Sequence, residues 1–210
     1  MNNHQISKTN DLNQLRGMDE KDILTLSQLE AFLARVPSTS EENDLLDVND
    51  YAALRALYTS TNGSNWKKKT GWDFSSETPP PAEVVSDWHG VTVEEGRVTK
   101  IELNRNNLSG MLPSELGDLS NLQKLRLQSN ALSGTIPSEL GSLGNLQDLG
   151  LYNNSLSGTL PSWIVSISDL QFLGLSKNDF HGTVPSEYSE LGNLRQLGLA
   201  QNSLSGTLPS

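Results

Sequence analysis

The chain of 210 residues contains no cysteine. This absence excludes a disulfide-stapled domain and a zinc site built on thiolates, and it is compatible with a reducing compartment. The sequence also lacks an apolar run long enough to cross a membrane, and its N-terminal residues lack the apolar core of a secretion signal. Positive charge is scarce, because 15 Lys and Arg residues face 25 Asp and Glu residues for a net charge of −10. Since nucleic-acid phosphates require a basic surface, we expect no nucleic-acid partner.

Residues that could carry out catalysis are few and lie far apart along the chain. The three histidines are His4, His89 and His181, and their sequence surroundings indicate neither a catalytic triad nor a metal site. No phosphate-binding loop and no paired-carboxylate motif is present. The sequence therefore predicts a chain that is not an enzyme and that carries no cofactor and no metal ion.

The sequence contains a 24-residue repeat, which is present in four complete copies and one partial copy. Around a recurring asparagine stands the frame Leu-x-x-Leu-x-Leu-x-x-Asn-x-Leu-Ser-Gly-x-Ile-Pro, written here as in residues 122–137. The asparagines are Asn106, Asn130, Asn154, Asn178 and Asn202. The repeats are 98–121, 122–145, 146–169, 170–193 and a partial 194–210. A period of this length predicts a solenoid, and the frame is that of a leucine-rich repeat.

Each part of the frame has a physical interpretation. Alternating apolar residues such as Leu125 and Leu127 predict a short strand with one face inward. One unit cannot bury that face alone, so the units should stack and their strands should form a parallel sheet about 4.8 Å apart. The asparagine should satisfy backbone groups inside, the glycine should occupy a turn with positive φ, and the proline should open a helical turn on the convex side. We expect the inward leucine columns to run to the last repeat, ending in Leu194, Leu197, Leu199 and Leu204.

The Leu-Ser-Gly-x-Ile/Leu-Pro motif resembles that of the plant-type leucine-rich repeats of receptor kinases and polygalacturonase-inhibiting proteins. Upstream, Trp88-His89-Gly90-Val91 resembles the Trp-x-Gly-Val of that family's N-terminal cap, with residues 50–58 as the helix that precedes it. In the family a cysteine pair flanks this motif, whereas this chain has Ser86 and Val93 there. The resemblance covers about residues 47–210 and implies binding of peptides, proteins or glycans. It favours an extracellular location, while the missing cysteines and signal favour an intracellular one.

The predicted fold is an α/β solenoid, a right-handed leucine-rich-repeat horseshoe with a parallel β-sheet on its concave face and a helical N-terminal cap. Three regions are expected: a flexible acidic tail at 1–46 with one short amphipathic helix within residues 19–35, the cap at 47–97, and the repeats at 98–210. The chain stops inside the fifth repeat with its leucine columns still running, so we expect a fragment.

The residues flanking the two strand leucines should point out of the concave face. Over the first two repeats they include a basic patch of Lys100, Arg105, Lys124 and Arg126, which could attract an acidic peptide or an anionic glycan. The alternative is that Glu102 and Asp148 neutralise these cations.

Beside this patch, glycines replace side chains in three successive repeats, at Gly150, Gly174 and Gly198. They should clear a groove flanked by Tyr152 and Phe172, which suits a peptide backbone or a sugar ring laid flat. The predicted concave-face contacts are Lys100, Glu102, Arg105, Lys124, Arg126, Asp148, Tyr152, Phe172 and Lys177. The favoured function is non-catalytic recognition of a protein, a peptide or a glycan.

Two other functions stay open. The threonines that follow the repeat glycine form a column, Thr135, Thr159, Thr183 and Thr207. If this stretch forms a second sheet, the column would stand at about 4.8 Å spacing and could bind ice or a polysaccharide surface. One plant ice-binding protein shares this repeat type, although threonine also simply suits exposed strand positions. The third possibility is the targeting module of a longer receptor or enzyme.

Overall fold

The computed structural model describes residues 45–207, and the amphipathic helix predicted within residues 19–35 lies outside them. The described part begins with helix α1, Val48–Ser60. The side chain of Asp47 caps this helix by accepting hydrogen bonds from the backbone N–H groups of Asn49 and Asp50 at 2.9 and 3.2 Å. The helix therefore starts two residues before the expected Asp50. The prediction rested on the pattern of alanines and leucines, whereas the start of the helix is set by the capping side chain of Asp47.

An aromatic cluster fills the region between α1 and the repeats. Helix α2, Ala82–Ser86, follows Pro81 and leads into the Trp88 motif. The rings of Trp66, Trp72 and Trp88 are buried, with centroids 4.8 Å apart for the first pair and 5.4 Å for the second. They belong to the same buried cluster as the leucines of the first repeats. The tryptophans thus cover the apolar end of the stack, as terminal repeats require.

The repeats form two β-sheets. In chain order, the strands are β1 Val91–Glu94, β2 Arg97–Glu102, β3 Ser109–Met111, β4 Lys124–Arg126, β5 Ala131–Gly134, β6 Asp148–Gly150, β7 Ser155–Thr159, β8 Phe172–Gly174, β9 Asp179–Thr183, β10 Gln196–Gly198 and β11 Ser203–Ser205. The larger sheet has the order β1-β2-β4-β6-β8-β10, and all its pairs are parallel except the hairpin of β1 and β2. Its parallel register follows the 24-residue period, so equivalent residues of successive repeats lie side by side. This confirms the predicted leucine-rich-repeat fold, with its parallel sheet and N-terminal helical region.

The smaller sheet, in the order β3-β5-β7-β9-β11, is built from the Leu-Ser-Gly segments. After β3, β5, β7 and β9 a proline caps a 3₁₀ helix, as predicted. These helices are Ser114–Asp118, Ser138–Ser142, Ser162–Ser166 and Ser186–Glu190. The glycines within the smaller sheet have positive φ as expected, for example 76° at Gly134, but they lie in strands and not in a turn.

The leucine columns form the core and run into the last repeat as expected, but their burial decreases there. In the third repeat Leu146, Leu149 and Leu151 are fully buried. In the fifth, Leu197 is 42% exposed, and Leu194, Leu199 and Leu204 are only partly buried. The physical reason is that burial comes from stacking, and no residue of the described range 45–207 stacks on the outer side of β10.

The repeat asparagines bind each repeat to the one before it. The Oδ1 atom of Asn130 accepts from the backbone N–H of Leu108 at 3.1 Å, and its Nδ2 group donates to the carbonyls of Leu103 at 3.0 Å and Leu127 at 2.9 Å. The same three contacts, at the same spacings in the chain, are made by Asn154, Asn178 and Asn202. Leucine could satisfy none of these backbone groups, which explains the polar residue inside an apolar frame.

The first asparagine of the series, Asn106, has no preceding repeat and binds the cap instead. Its Oδ1 atom accepts from the backbone N–H of Lys68 at 2.7 Å, and its Nδ2 group donates to the carbonyl of the same residue at 2.8 Å. The backbone N–H of Lys67 donates to the Asn106 carbonyl at 3.0 Å. The cap loop therefore presents its backbone to the first repeat in the way a further repeat would.

Candidate functional site

The candidate site is the solvent side of the larger sheet, which we call the concave face after its predicted position. Strand register brings the first outward column, Lys100, Lys124, Asp148, Phe172 and Gln196, into one row across five strands. The next column, Glu102, Arg126, Gly150, Gly174 and Gly198, runs beside it. Seven of the nine predicted contacts thus lie on adjacent strands or, in the case of Tyr152, just beyond the end of β6.

The predicted basic patch is largely paired with carboxylates. The Nη2 atom of Arg126 lies 2.6 Å from Oδ2 of Asp148, and its Nη1 atom lies 3.6 Å from Oε1 of Glu102. The hydrogen bond to Asp148 raises the pKa of Arg126 above its usual value. Lys124 lies 4.0 Å from Glu102, and Lys100 lies 3.9 Å from Glu94. The sequence left open whether these cations attract a ligand or are neutralised by Glu102 and Asp148. Neutralisation applies most strongly to Arg126.

Arg105 and Lys177 occupy a different position from the other predicted contacts. Both have φ of 56° and sit in the exposed turns that follow β2 and β8. Neither has a carboxylate within 4.0 Å in the part of the chain that the structure describes. They therefore border the concave face at the ends of the strands instead of lying on it.

The glycine strip is not the open groove that the sequence predicts. A Cβ atom on Gly174 would stand 2.9 Å from the ring of Phe172 and 3.0 Å from the ring of Tyr152. A Cβ atom on Gly150 would stand 2.9 Å from Oε1 of Gln128. Neighbouring side chains occupy the space above the glycines, so the groove is filled. The glycines serve to let these aromatic and amide groups lie close to the sheet.

Two side-chain oxygen atoms on this face are buried without a hydrogen-bond donor in the described range. They are Oε1 of Gln128 and Oδ1 of Asp148. The Asp148 side chain is 14% exposed, and its other oxygen accepts from Arg126. An unpaired buried acceptor costs about 1–3 kcal/mol, so these two oxygens reduce the stability of this face.

A shallow depression of about 410 Å³ lies where the chain enters the strands of the larger sheet. We call it the entry depression. Its walls carry three cationic side chains, those of Lys100, Lys124 and Arg195. Its remaining lining consists of Gln123, Gln147, Gln171, Asp148, Phe172 and Gln196. The sequence analysis did not predict the three glutamines or Arg195 as site residues. Each of them directly precedes a residue of the first outward column, so a comparison of that preceding position across the repeats would have identified them.

The smaller sheet carries the threonine column. Thr135, Thr159, Thr183 and Thr207 are all exposed. The methyl carbons of the first three lie 3.0–3.3 Å from the point where a Cβ would stand on the glycine of the next repeat. The register of this sheet is offset by 22 residues, since Thr159 has His181 as its Cα partner. Successive threonines are therefore displaced along the strands, and the directly opposed ladder that the sequence suggested does not form.

The histidines within the described range do not form a reactive group. His89 lies beside the cap tryptophan, where burial and then the charge of Lys68 lower its pKa. His181 is an exposed residue of β9. Between residues 45 and 207 no cluster of three or more His, Cys, Asp or Glu side chains could hold a metal ion. In the same part of the chain, no helix has both the length and the apolar character that crossing a membrane requires.

Two family profiles, described as "Leucine rich repeat" and "Leucine Rich Repeat", match residues 120–180 and 97–119. A solved chain from the BIR3–SERK2 complex of Arabidopsis thaliana is 37% identical, with a TM-score of 0.68, and the match covers 75% of this chain and 84% of that one. The chain belongs to the leucine-rich-repeat family. Its repeats and N-terminal helical region resemble those of plant receptor-kinase ectodomains. Leucine-rich-repeat domains of this kind are typically non-catalytic.

Two further structures are similar to this leucine-rich-repeat protein over most of its length. The ectodomain of the Arabidopsis receptor kinase HAESA, in complex with an N-terminally extended IDA peptide hormone, is 30% identical with a TM-score of 0.64; the match covers 76% of this chain and 26% of that one. A plant ice-binding protein is also 30% identical, with a TM-score of 0.66, and the match covers 76% of this chain and 50% of that one. A comparison with curated proteins gives no match.

Proposed function

We propose that this leucine-rich-repeat protein is a non-catalytic recognition module that binds a protein or a peptide on its concave face. The observation that supports this most directly is the in-register row of charged, amide and aromatic side chains across five strands, beside the entry depression. A row of this kind offers a partner hydrogen-bonding and apolar contacts at a fixed spacing. Solved structures similar to this chain include one from a protein complex and one bound to a peptide hormone.

A glycan is the less favoured ligand for this face. Sugar rings stack on exposed aromatic faces, but the rings of Tyr152 and Phe172 are partly buried against Gly174. The accessible charged and amide side chains of the first outward column, such as Lys124 and Gln196, would suit the backbone and carboxylate groups of a protein partner.

The test is affinity capture of partners from a native extract with the full chain and a Tyr152→Ala/Phe172→Ala variant. We expect the variant to lose the partner, because it removes both aromatic side chains of the concave face. The matched control is Trp163→Ala, which removes a partly buried aromatic ring that lies over a glycine, Gly141, outside the concave face. Partners that bind the double variant as well as the wild type, or that are lost equally with Trp163→Ala, would exclude the concave face as the binding site.

The second candidate function is ice binding through the smaller sheet. It is supported by the exposed threonine column and by the similarity to a plant ice-binding protein. We expect a Thr135→Tyr/Thr159→Tyr variant to lose inhibition of ice recrystallisation, because two large side chains would interrupt the surface. The Tyr152→Ala/Phe172→Ala variant should keep full inhibition. If the wild-type chain does not affect ice growth at all, this candidate is wrong.

A further inference from the structure

We propose that the entry depression binds an extended acidic segment of a partner polypeptide. This rests on the proposed function and narrows it, because it assigns one part of the concave face to one kind of ligand. The occupant is a peptide segment with glutamate or aspartate side chains.

The charge of the depression is opposite to that of the protein. Lys100, Lys124 and Arg195 contribute three cations to its lining, and Asp148 is its single carboxylate, while Glu94 and Glu102 stand outside the lining at 3.9 and 4.0 Å from the two lysines. That carboxylate is already held by Arg126 at 2.6 Å. The depression is thus a positive region on a chain whose net charge is −10. A local field of this sign concentrates anionic ligands.

The cations remain available to a ligand. Lys100 and Lys124 lie 3.9 and 4.0 Å from their nearest carboxylates, at the outer limit of an ion pair. The Lys124 side chain is 30% exposed. Arg195 is exposed and has no carboxylate within 4.0 Å in the described range. Exposed pairs at such distances contribute little, so exchanging them for a ligand carboxylate costs little.

The amide groups of the depression favour a polypeptide over another polyanion. Gln123, Gln147 and Gln171 precede three successive strands, and their backbones are joined by hydrogen bonds of 2.8 Å. Each side-chain amide can both donate and accept, which matches the alternating N–H and C=O groups of an extended backbone. An acidic glycan would use the lining less well, because the ring of Phe172 lies on Gly174 and does not offer an open face for stacking.

The experiment measures binding of a fluorescein-labelled octaglutamate peptide to the full chain by fluorescence anisotropy at about 50 mM salt, where screening is modest. We expect the Lys124→Gln/Arg195→Gln variant to bind about tenfold more weakly, because two charge-assisted contacts are lost. The matched control is Lys67→Gln/Lys68→Gln, which removes the same charge from the cap loop. It should bind as tightly as the wild type. Binding of an octalysine peptide, which the acidic surface of the chain can attract, should not be weakened by Lys124→Gln/Arg195→Gln.

Three results would overturn the proposal. Equal weakening in both variants would show that only net charge matters. No binding of the peptide at any accessible protein concentration would show that the depression has no affinity for acidic chains. An oligogalacturonate that binds more tightly than the peptide, with the same sensitivity to Lys124→Gln/Arg195→Gln, would assign the site to glycans. None of these results depends on the aromatic pair, so partner loss in Tyr152→Ala/Phe172→Ala would still support recognition on the concave face.

Discussion

At the scale of single residues, one buried carboxylate connects the cap to the repeats. Asp50 of α1 is fully buried, and its oxygens accept from Nε and Nη2 of Arg97 at 3.1 and 2.9 Å and from the backbone N–H of Val98 at 2.6 Å. The same Nη2 atom also donates to Ser120 at 2.9 Å. Three donors thus satisfy one charge that would be costly to bury alone. Asp50 thereby fixes α1 against the first strand of the solenoid.

We predict that Asp50→Asn lowers the free energy of unfolding by about 3 kcal/mol, because the partly buried Arg97 loses its nearer charge partner and keeps only Asp47 at 3.9 Å. The measurement is urea unfolding of the full chain followed by circular dichroism. Glu77→Gln serves as the control, since it breaks an ion pair of the same helix, that of Arg55 in α1 with Glu77 at 3.3 Å. Both side chains of that pair are exposed, at 42 and 88%, so its loss should change the free energy of unfolding far less than Asp50→Asn does. Equal effects of the two substitutions would show that Asp50 contributes no more than a surface charge.

At the scale of helices and strands, the features set by the 24-residue period were predictable from the sequence. The strand around Leu125, the 3₁₀ helix after Pro137 and the positive φ at Gly134 each follow from residues within one repeat. The stacking of one repeat on the next then follows from the need to bury the leucine face. Repetition strengthens such local signals, because the same residue pattern predicts the same element in several repeats.

Features that depend on side-chain packing between unlike residues were not predictable. The bond between Asp50 and Arg97 joins residues 47 positions apart that belong to no repeat. Whether the space above the glycines is filled depends on the orientation of the rings of Tyr152 and Phe172. The spacing of residues in the sequence does not determine that orientation. The 22-residue offset of the smaller sheet likewise arises from how the strands pair in space, although the sequence period is 24. For the same reason the sequence predicted which residues lie side by side on the larger sheet, but not their ion pairs and not the entry depression.

At the scale of the whole described solenoid, stability should vary along the stack. Each repeat contributes its own interactions and an interface with each neighbour, so a residue with repeats on both sides is held more firmly than one at an end. Leu149 and Leu197 occupy the same position of the frame, in β6 and β10. The first is fully buried and the second is 42% exposed. The two residues therefore allow the contribution of stacking to be measured at constant chemistry.

We predict that Leu149→Ala lowers the free energy of unfolding by about 2–5 kcal/mol, because it leaves a cavity among fully buried leucines. Leu197→Ala should lower it by about 1 kcal/mol or less, since the side chain is already partly in water. Urea unfolding of both variants gives the two values, and hydrogen exchange at β6 and β10 shows whether the loss stays local. A cost for Leu197→Ala as large as that for Leu149→Ala would mean that the outer side of β10 is covered in solution. The entry depression would then also be affected, because Gln196 lies beside Leu197 in β10 and lines it.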